Sequence, residues 1–216
     1  MLRRCSAIFW VSLCALLFPL LTISLFGQEF SADFVNTSKD HRASGPSKIY
    51  VGKNKMRIET NEGGQMGMGA GIMDFANQKM IILLPQQKMY MESMPQMMQE
   101  RRMWFRPDDA NNACPEYEAM VKKFGHNENV TCQKVGPDVV NGRPAIKYSG
   151  TSNNGHGYVW VDQKLRFVTK WQDDKGSSGE LQNIKEGPQA ASLFEVPSDY
   201  HKFDMQQMMQ QRQRPQ

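Results

Sequence analysis

Tyr158-Val159-Trp160-Val161-Asp162, then Gln163-Lys164-Leu165, then Arg166-Phe167-Val168-Thr169-Lys170-Trp171 is the stretch that decides the fold. Large apolar side chains recur at even spacing, Tyr158 and Trp160 in the first run and Phe167 and Trp171 in the next. A period of two places such side chains on one face of a pleated sheet. Asp173-Asp174-Lys175-Gly176-Ser177-Ser178-Gly179 reads as a turn, and Glu180-Leu181-Gln182-Asn183-Ile184 as a third strand. Breaks this short make the strands consecutive and antiparallel. Leu193-Phe194-Glu195-Val196-Pro197 follows as an apolar plug ahead of a polar tail.

The same alternation extends towards the N-terminus. Phe30 to Val35 reads as an edge strand, and Lys48-Ile49-Tyr50-Val51 turns at Gly52-Lys53-Asn54 into Lys55-Met56-Arg57-Ile58-Glu59. Met56 and Ile58 alternate there with charged residues, the mark of a strand buried on one face. Glu62 to Gly71 carries five glycines and reads as a loop, because a phosphate-cradling loop needs a strand before it and a helix after it. Three short strands follow at Ile72–Phe75, Lys79–Leu84 and Lys88–Met91. Met80-Ile81-Ile82-Leu83-Leu84 is continuously apolar and therefore predicts cover on both faces.

Two helical stretches are expected to supply that cover. Met94, Met97, Met98, Trp104 and Phe105 share one helical face. Pro115 suits a first helical position, Tyr117, Met120, Val121 and Phe124 then recur at helical spacing, and Gly125 ends the run. Thr131–Val135 and Arg143–Ser149, around Asn141-Gly142, return the chain to strand.

The chain has 216 residues, with 26 Lys+Arg against 22 Asp+Glu. Arg3 and Arg4 precede an uncharged apolar run from Ala7 to Phe26, which is the pattern of export. Residues 1–27 therefore read as a signal peptide cleaved near Gly27–Gln28, with an uncleaved N-terminal anchor as the alternative. That leader takes two basic residues and no acid, leaving 24 against 22, interspersed as on an ordinary solvated surface. Nothing in this balance points to nucleic acid. Residues 28–203 form the expected β domain, and 204–216, rich in Met, Gln and Arg, a flexible tail. Cys114 and Cys132 are the two cysteines left beyond the leader, and in an exported chain they read as a disulfide stapling the second helix to the strand at Val130.

No Gly-x-Ser-x-Gly, His-Glu-x-x-His or Walker pattern occurs, and His41, His126, His156 and His201 are scattered in turn-like contexts. No constellation argues for an enzyme or for a cofactor. Methionine is the anomaly: 16 in all, 11 of them between Met56 and Met103. A thioether suits an adaptable apolar lining or Cu(I). The first use predicts a ligand cavity lined by Met80, Ile82, Leu84, Met89, Met91, Met97, Met98, Tyr158 and Trp160. The alternative is a Met-rich Cu(I) carrier using Met94, Met97 and Met98, and a third is an envelope protein without ligand.

Val159-Trp160-Val161-Asp162-x-Lys164-Leu165-Arg166, the Asp-x-x-Gly turn, the strand ending near Asn183 and Leu193-Phe194-x-Val196-Pro197 together resemble the periplasmic lipoprotein carrier (LolA-like) superfamily. The resemblance runs from about residue 30 to 203. It implies an α+β chain, mainly antiparallel β, with an unclosed half β-barrel wrapped around two or three short helices. It also implies a periplasmic location in a Gram-negative-type bacterium and an apolar cavity for a hydrophobic ligand such as an acyl chain. Its implied partner is an envelope lipoprotein or a membrane.

The cysteine reading yields a direct test. Denatured, non-reduced exported protein is expected to show no titratable thiol from Cys114 or Cys132. Two free thiols per mature chain would overturn the pairing.

Overall fold

The computed structural model of the chain describes residues 29–37, 46–59, 69–77, 79–93, 105–124, 129–153 and 155–203. The leader, most of the Met/Gly loop, the first helical stretch up to residue 104 and the tail lie outside these. The segments with a period of two become strands. They are β1 (Phe30–Thr37), β2 (Ser47–Val51), β3 (Lys55–Glu59), β4 (Ala70–Asp74), β5 (Lys79–Leu84) and β6 (Met89–Ser93), then β7 (Thr131–Val140), β8 (Arg143–Ser152), β9 (Gly155–Asp162), β10 (Phe167–Asp173) and β11 (Ser178–Glu186). A two-residue β12 (His201–Lys202) follows, and one α-helix among the described residues, α1 (Cys114–Phe124), separates β6 from β7.

All twelve strands join one sheet in the order β12-β6-β5-β4-β3-β2-β1-β11-β10-β9-β8-β7. Every pairing is antiparallel except that of β12 along β6. The two halves are successive hairpins, and β1 closes the seam between them by pairing with β2 on one side and β11 on the other. The sheet does not close on itself, and α1 lies on one face. This is the unclosed, mainly antiparallel half-barrel that the sequence pattern implied.

Register assigns the faces. Phe30 sits opposite Val51, Val51 opposite Met56, Met56 opposite Met73 and Met73 opposite Met80, so all five point to the inner side, the side that carries α1. Phe30, Ala32, Ile49, Val51, Met56, Met73 and Leu181 are buried together with Leu165 and Phe167. Phe30 and Phe167 meet edge-on at 5.3 Å between centroids, a favoured arrangement of aromatic rings.

The outer face of β4 and β5 needs its own cover, as the unbroken apolar run of β5 requires. Ala70, Ile72 and Leu83 are buried there under Phe194, with Leu193, Val196 and Tyr200 packed around them. On this face the described cover is the segment after β11, which includes a 3-10 turn at Ala191–Phe194; of the two helices expected as cover, the first lies outside the described residues. α1 instead packs on the other half of the sheet. Burying a ring such as Phe194 contributes about 1.5–3 kcal/mol. Gly52 makes room for that ring at the β2–β3 turn, since a Cβ there would come within 3.0 Å of its edge.

Asp162 ends β9 and organises the turn into β10. Its side chain is only 2% exposed, and it accepts hydrogen bonds from the backbone N–H of Lys164 at 2.9 Å and of Leu165 at 2.8 Å. Arg143 of β8 donates to the same carboxylate from Nε at 2.5 Å and from Nη2 at 3.4 Å. Nη2 also meets Glu186 of β11 at 2.9 Å, and Glu186 pairs with Lys164 at 2.6 Å. The hydrogen bond to Asp162 holds the guanidinium of Arg143 above its ordinary pKa. Removing the Asp162 side chain leaves two turn N–H groups and one edge of Arg143 without their acceptor, at a typical cost of about 1–3 kcal/mol for each buried group left unsatisfied. Asp162→Ala is therefore expected to lower unfolding stability by roughly 3 kcal/mol or more in urea titration, with Asp162→Asn intermediate. A loss under about 1 kcal/mol would show that the pair is a surface ion pair in effect.

Candidate functional site

Between α1 with its preceding loop and the inner face of β7–β10 lies a cavity of about 360 Å³. Strand register explains why it is there. Gly150 and Gly157 face each other across β8 and β9, flanked by Cys132 on β7 and Asp173 on β10. Two facing glycines leave the floor as bare backbone. At Gly157 a Cβ would come within 2.9 Å of the Gln172 carbonyl oxygen, so close approach of β10 demands glycine. At Gly150 the nearest atom to a Cβ would be the Thr131 oxygen at 3.6 Å, an ordinary contact, so the site is bare without being crowded.

The next inner row is Tyr148, Val159 and Trp171, paired in that order across β8, β9 and β10. Tyr148 is buried, and its hydroxyl donates to the Ala110 carbonyl at 2.8 Å and accepts from the Ala113 N–H at 3.2 Å. Burial pushes that phenol up, so its ring faces the cavity while its polar end fastens the loop before α1. Phe105 and Tyr117 meet edge-on at 5.7 Å on the helix side of the cavity. Cys114 and Cys132 are bonded, with Cα atoms 5.3 Å apart, and pin the start of α1 to β7. Glu118 accepts from the Cys132 N–H at 2.9 Å, adding a second tie between the same elements.

Trp171 reaches the inner side through a β-bulge. Val168 pairs with Val161 but Lys170 pairs with Trp160, leaving Thr169 as the extra residue. The slip moves Trp171 to the face opposite Trp160, where strict alternation would have kept them together. The indole then lies over Gly179, where a Cβ would overlap it, and its buried Nε1–H has no acceptor among the described residues.

At the mouth stand His156, Asp173, Asp174 and Lys175. The carboxylates are engaged in turns: Asp173 accepts from the N–H groups of Lys175 and Ser177 at 2.9 and 2.7 Å, and Asp174 from the His156 N–H at 3.1 Å. Among the described residues no group of three His, Cys, Asp or Glu could hold a metal ion. The site is thus apolar in its depth and polar at its rim.

The residues expected to line a cavity fall in three places. Met80, Ile82, Leu84, Met89 and Met91 do share the inner face, with Ile82 opposite Met91 and Leu84 opposite Met89, but at the far end of the sheet on β5 and β6. Tyr158 touches the cavity's rim, but alternation along β9 turns its ring to the outer face beside Trp160, so it does not line the interior. Trp160 lies on the outer face, where it packs with Val140, Ala145 and Tyr158 and donates from Nε1 to Asp138 at 2.7 Å. That bond is the first cause holding the Asp138 carboxyl below its ordinary pKa. Lys147 and Lys170 cover the Trp160 ring at 4.8 and 5.1 Å from its centroid. Met94, Met97 and Met98, in the lining and in the Cu(I) alternative alike, lie outside the described residues. Gly150, Gly157, Tyr148 and Trp171 belong to the site although sequence reasoning does not single them out for it. The doublet Gly155-His156-Gly157 is the one visible signal, since glycine inside a strand marks close backbone approach.

Neither a protein-family model nor a curated protein sequence matches the chain. Solved structures do match in fold. An uncharacterized conserved protein from Thermus thermophilus superposes with a TM-score of 0.52 at 11% identity, over 83% of this chain and 91% of that one. PNGF-II superposes at 0.50 and 10% identity over 85% of this chain, which corresponds to only 32% of that protein. MucB superposes at 0.48 and 14% identity, over 80% and 58% of the two chains.

The packing of Trp171 on Gly179 can be probed directly. Gly179→Ala forces the indole to move and is expected to cost about 1–3 kcal/mol, the usual range for overpacking. The tryptophan emission should shift to the red in the folded protein, because a displaced indole gains water. Unchanged emission and stability would mean that the ring is not held there.

Proposed function

We propose that this is an exported, non-enzymatic protein of the bacterial cell envelope that binds a lipid or other hydrophobic ligand on the inner face of its half-barrel. The observation that carries the reading is the apolar cavity of about 360 Å³ held open between α1 and the sheet. That size falls at the lower end of the range for small-molecule sites, roughly 300–1,000 Å³. The disulfide fits an oxidising compartment such as the periplasm. The inner-face group Met80, Ile82, Leu84, Met89 and Met91 offers further apolar surface at the far end of the sheet and suits a long or variable apolar tail. A carrier role, handing such a ligand to a membrane or to an envelope lipoprotein, is the corresponding biological use.

Burying about 400 Å² of apolar ligand surface at ~25 cal/mol per Å² gives roughly 10 kcal/mol before the cost of association, enough for micromolar binding. The test is native mass spectrometry of the protein released from its own envelope without detergent. A co-purifying hydrophobic molecule is expected, removable by organic extraction and bound again on return. Gly150→Leu, which fills the cavity floor, should rebind it at least about tenfold more weakly. A protein that comes off the envelope bare and rebinds nothing from a lipid extract would overturn the proposal.

A further inference from the structure

The cavity beside α1 differs in kind from the methionine-lined face at the other end of the sheet. No methionine borders it among the described residues. Its floor is the backbone of Gly150 and Gly157, and its walls and roof are the rings of Tyr148, Trp171, Phe105 and Tyr117. Methionine surfaces mould themselves to flexible chains. A bare, flat floor under aromatic rings is suited to another flat ring, because aromatic groups gain from offset-stacked and edge-on contact beyond the area they bury. The enclosure is also stiff: the disulfide, the two hydrogen bonds of the Tyr148 hydroxyl and the Phe105–Tyr117 pair hold α1 at a set height above the sheet. A stiff site favours a rigid ligand, since a flexible chain must give up its rotamers on entering. The polar mouth at His156, Asp173, Asp174 and Lys175 suits a polar group at one end of the molecule.

We infer that this cavity selects a planar aromatic or polycyclic amphiphile, ring system inward and polar group at the mouth, over a straight acyl chain. The inference rests on the proposed hydrophobic-ligand function and specifies the ligand class at this cavity. Binding of the fluorescent three-ring amine N-phenyl-1-naphthylamine to the mature domain would be titrated, then competed with hexadecanoate, a straight-chain fatty acid of similar size. One saturable site is expected, with hexadecanoate competing at least about tenfold more weakly, which is about 1.4 kcal/mol. Gly150→Leu places a side chain on the bare floor and should weaken the ring probe about tenfold or more. Val139→Ser, on an exposed position of β7, should leave it unchanged. Tyr117→Ala serves where Gly150→Leu does not fold by far-UV circular dichroism. It removes a ring from a half-buried helix position on the cavity and should weaken the ring probe several-fold while leaving hexadecanoate nearly unaffected.

The two proposals fail differently. Hexadecanoate binding as tightly as the ring probe, and lost in Gly150→Leu, overturns the ring preference and leaves the hydrophobic-ligand function standing. Probe binding lost in Ile82→Glu but not in Gly150→Leu moves the site to the methionine face and overturns the inference. Binding of neither molecule sinks both proposals together.

Discussion

The carboxylate of Asp162 is the constraint on which the C-terminal half of the sheet depends. A carboxylate taken out of water must be repaid with donors, and here four N–H groups converge on it, two from the following turn and two from Arg143. Those donors come from β8 and from the chain between β9 and β10, so the charge is satisfied in one alignment of the hairpin only. With that end fixed, the extra residue at Thr169 is absorbed inside β10, where its hydroxyl donates to the Trp160 carbonyl at 3.4 Å. The slip turns Trp171 inward over Gly179. The turn that this charge organises thus leads into the bulge that gives the cavity one of its walls.

The two halves of the sheet solve the problem of their outer faces differently. Over β4 and β5 the chain folds its own C-terminal segment back, with Leu193, Phe194, Val196 and Tyr200 on apolar strand residues. Over β8 to β10 no such segment lies among the described residues, and long side chains do the covering. Lys147 spans Tyr158 and Trp160 with its ammonium 4.2 and 4.8 Å from their centroids, while its stem shields the rings. Both halves thus cover their outer apolar residues from within the chain. Space that remains for a ligand lies on the inner face, beneath α1.

Much of this was legible in the sequence because the physics is local. Strands with one buried face announce themselves by alternation, as in Met56 and Ile58 between charged neighbours, and α1 by Tyr117, Val121 and Phe124 at helical spacing after Pro115. The Cys114–Cys132 bond followed from compartment and count. What stayed hidden depends on pairing between distant strands. A bulge at Thr169 has no residue of its own to mark it, so alternation grouped Trp160 with Trp171 although the sheet separates them. Gly150 and Gly157 become a floor only when β8 meets β9 in register. The apolar run of β5 demanded cover beyond what alternation supplies, but the identity of the cover on its outer face lay more than a hundred residues downstream.

An unfilled space of this size raises the question of why α1 does not settle onto the sheet. A closed void costs on the order of 24 cal/mol per Å³, so 360 Å³ would represent about 9 kcal/mol if sealed and dry, an upper figure because the mouth is open to water. Collapse is opposed at three points that act together. The disulfide fixes the start of the helix beside β7, Tyr148 holds the loop before it through both ends of one hydroxyl, and the Phe105–Tyr117 pair props the helix from within. A disulfide closing a loop of this length contributes roughly 3 kcal/mol, acting mainly on the unfolded chain. Hydrogen bonds add about 1 kcal/mol each. Such terms offset part of the cost of an open cavity and leave the remainder to be recovered by whatever fills it. The apolar surface that makes the free protein less stable is thus the source of affinity in the proposed function.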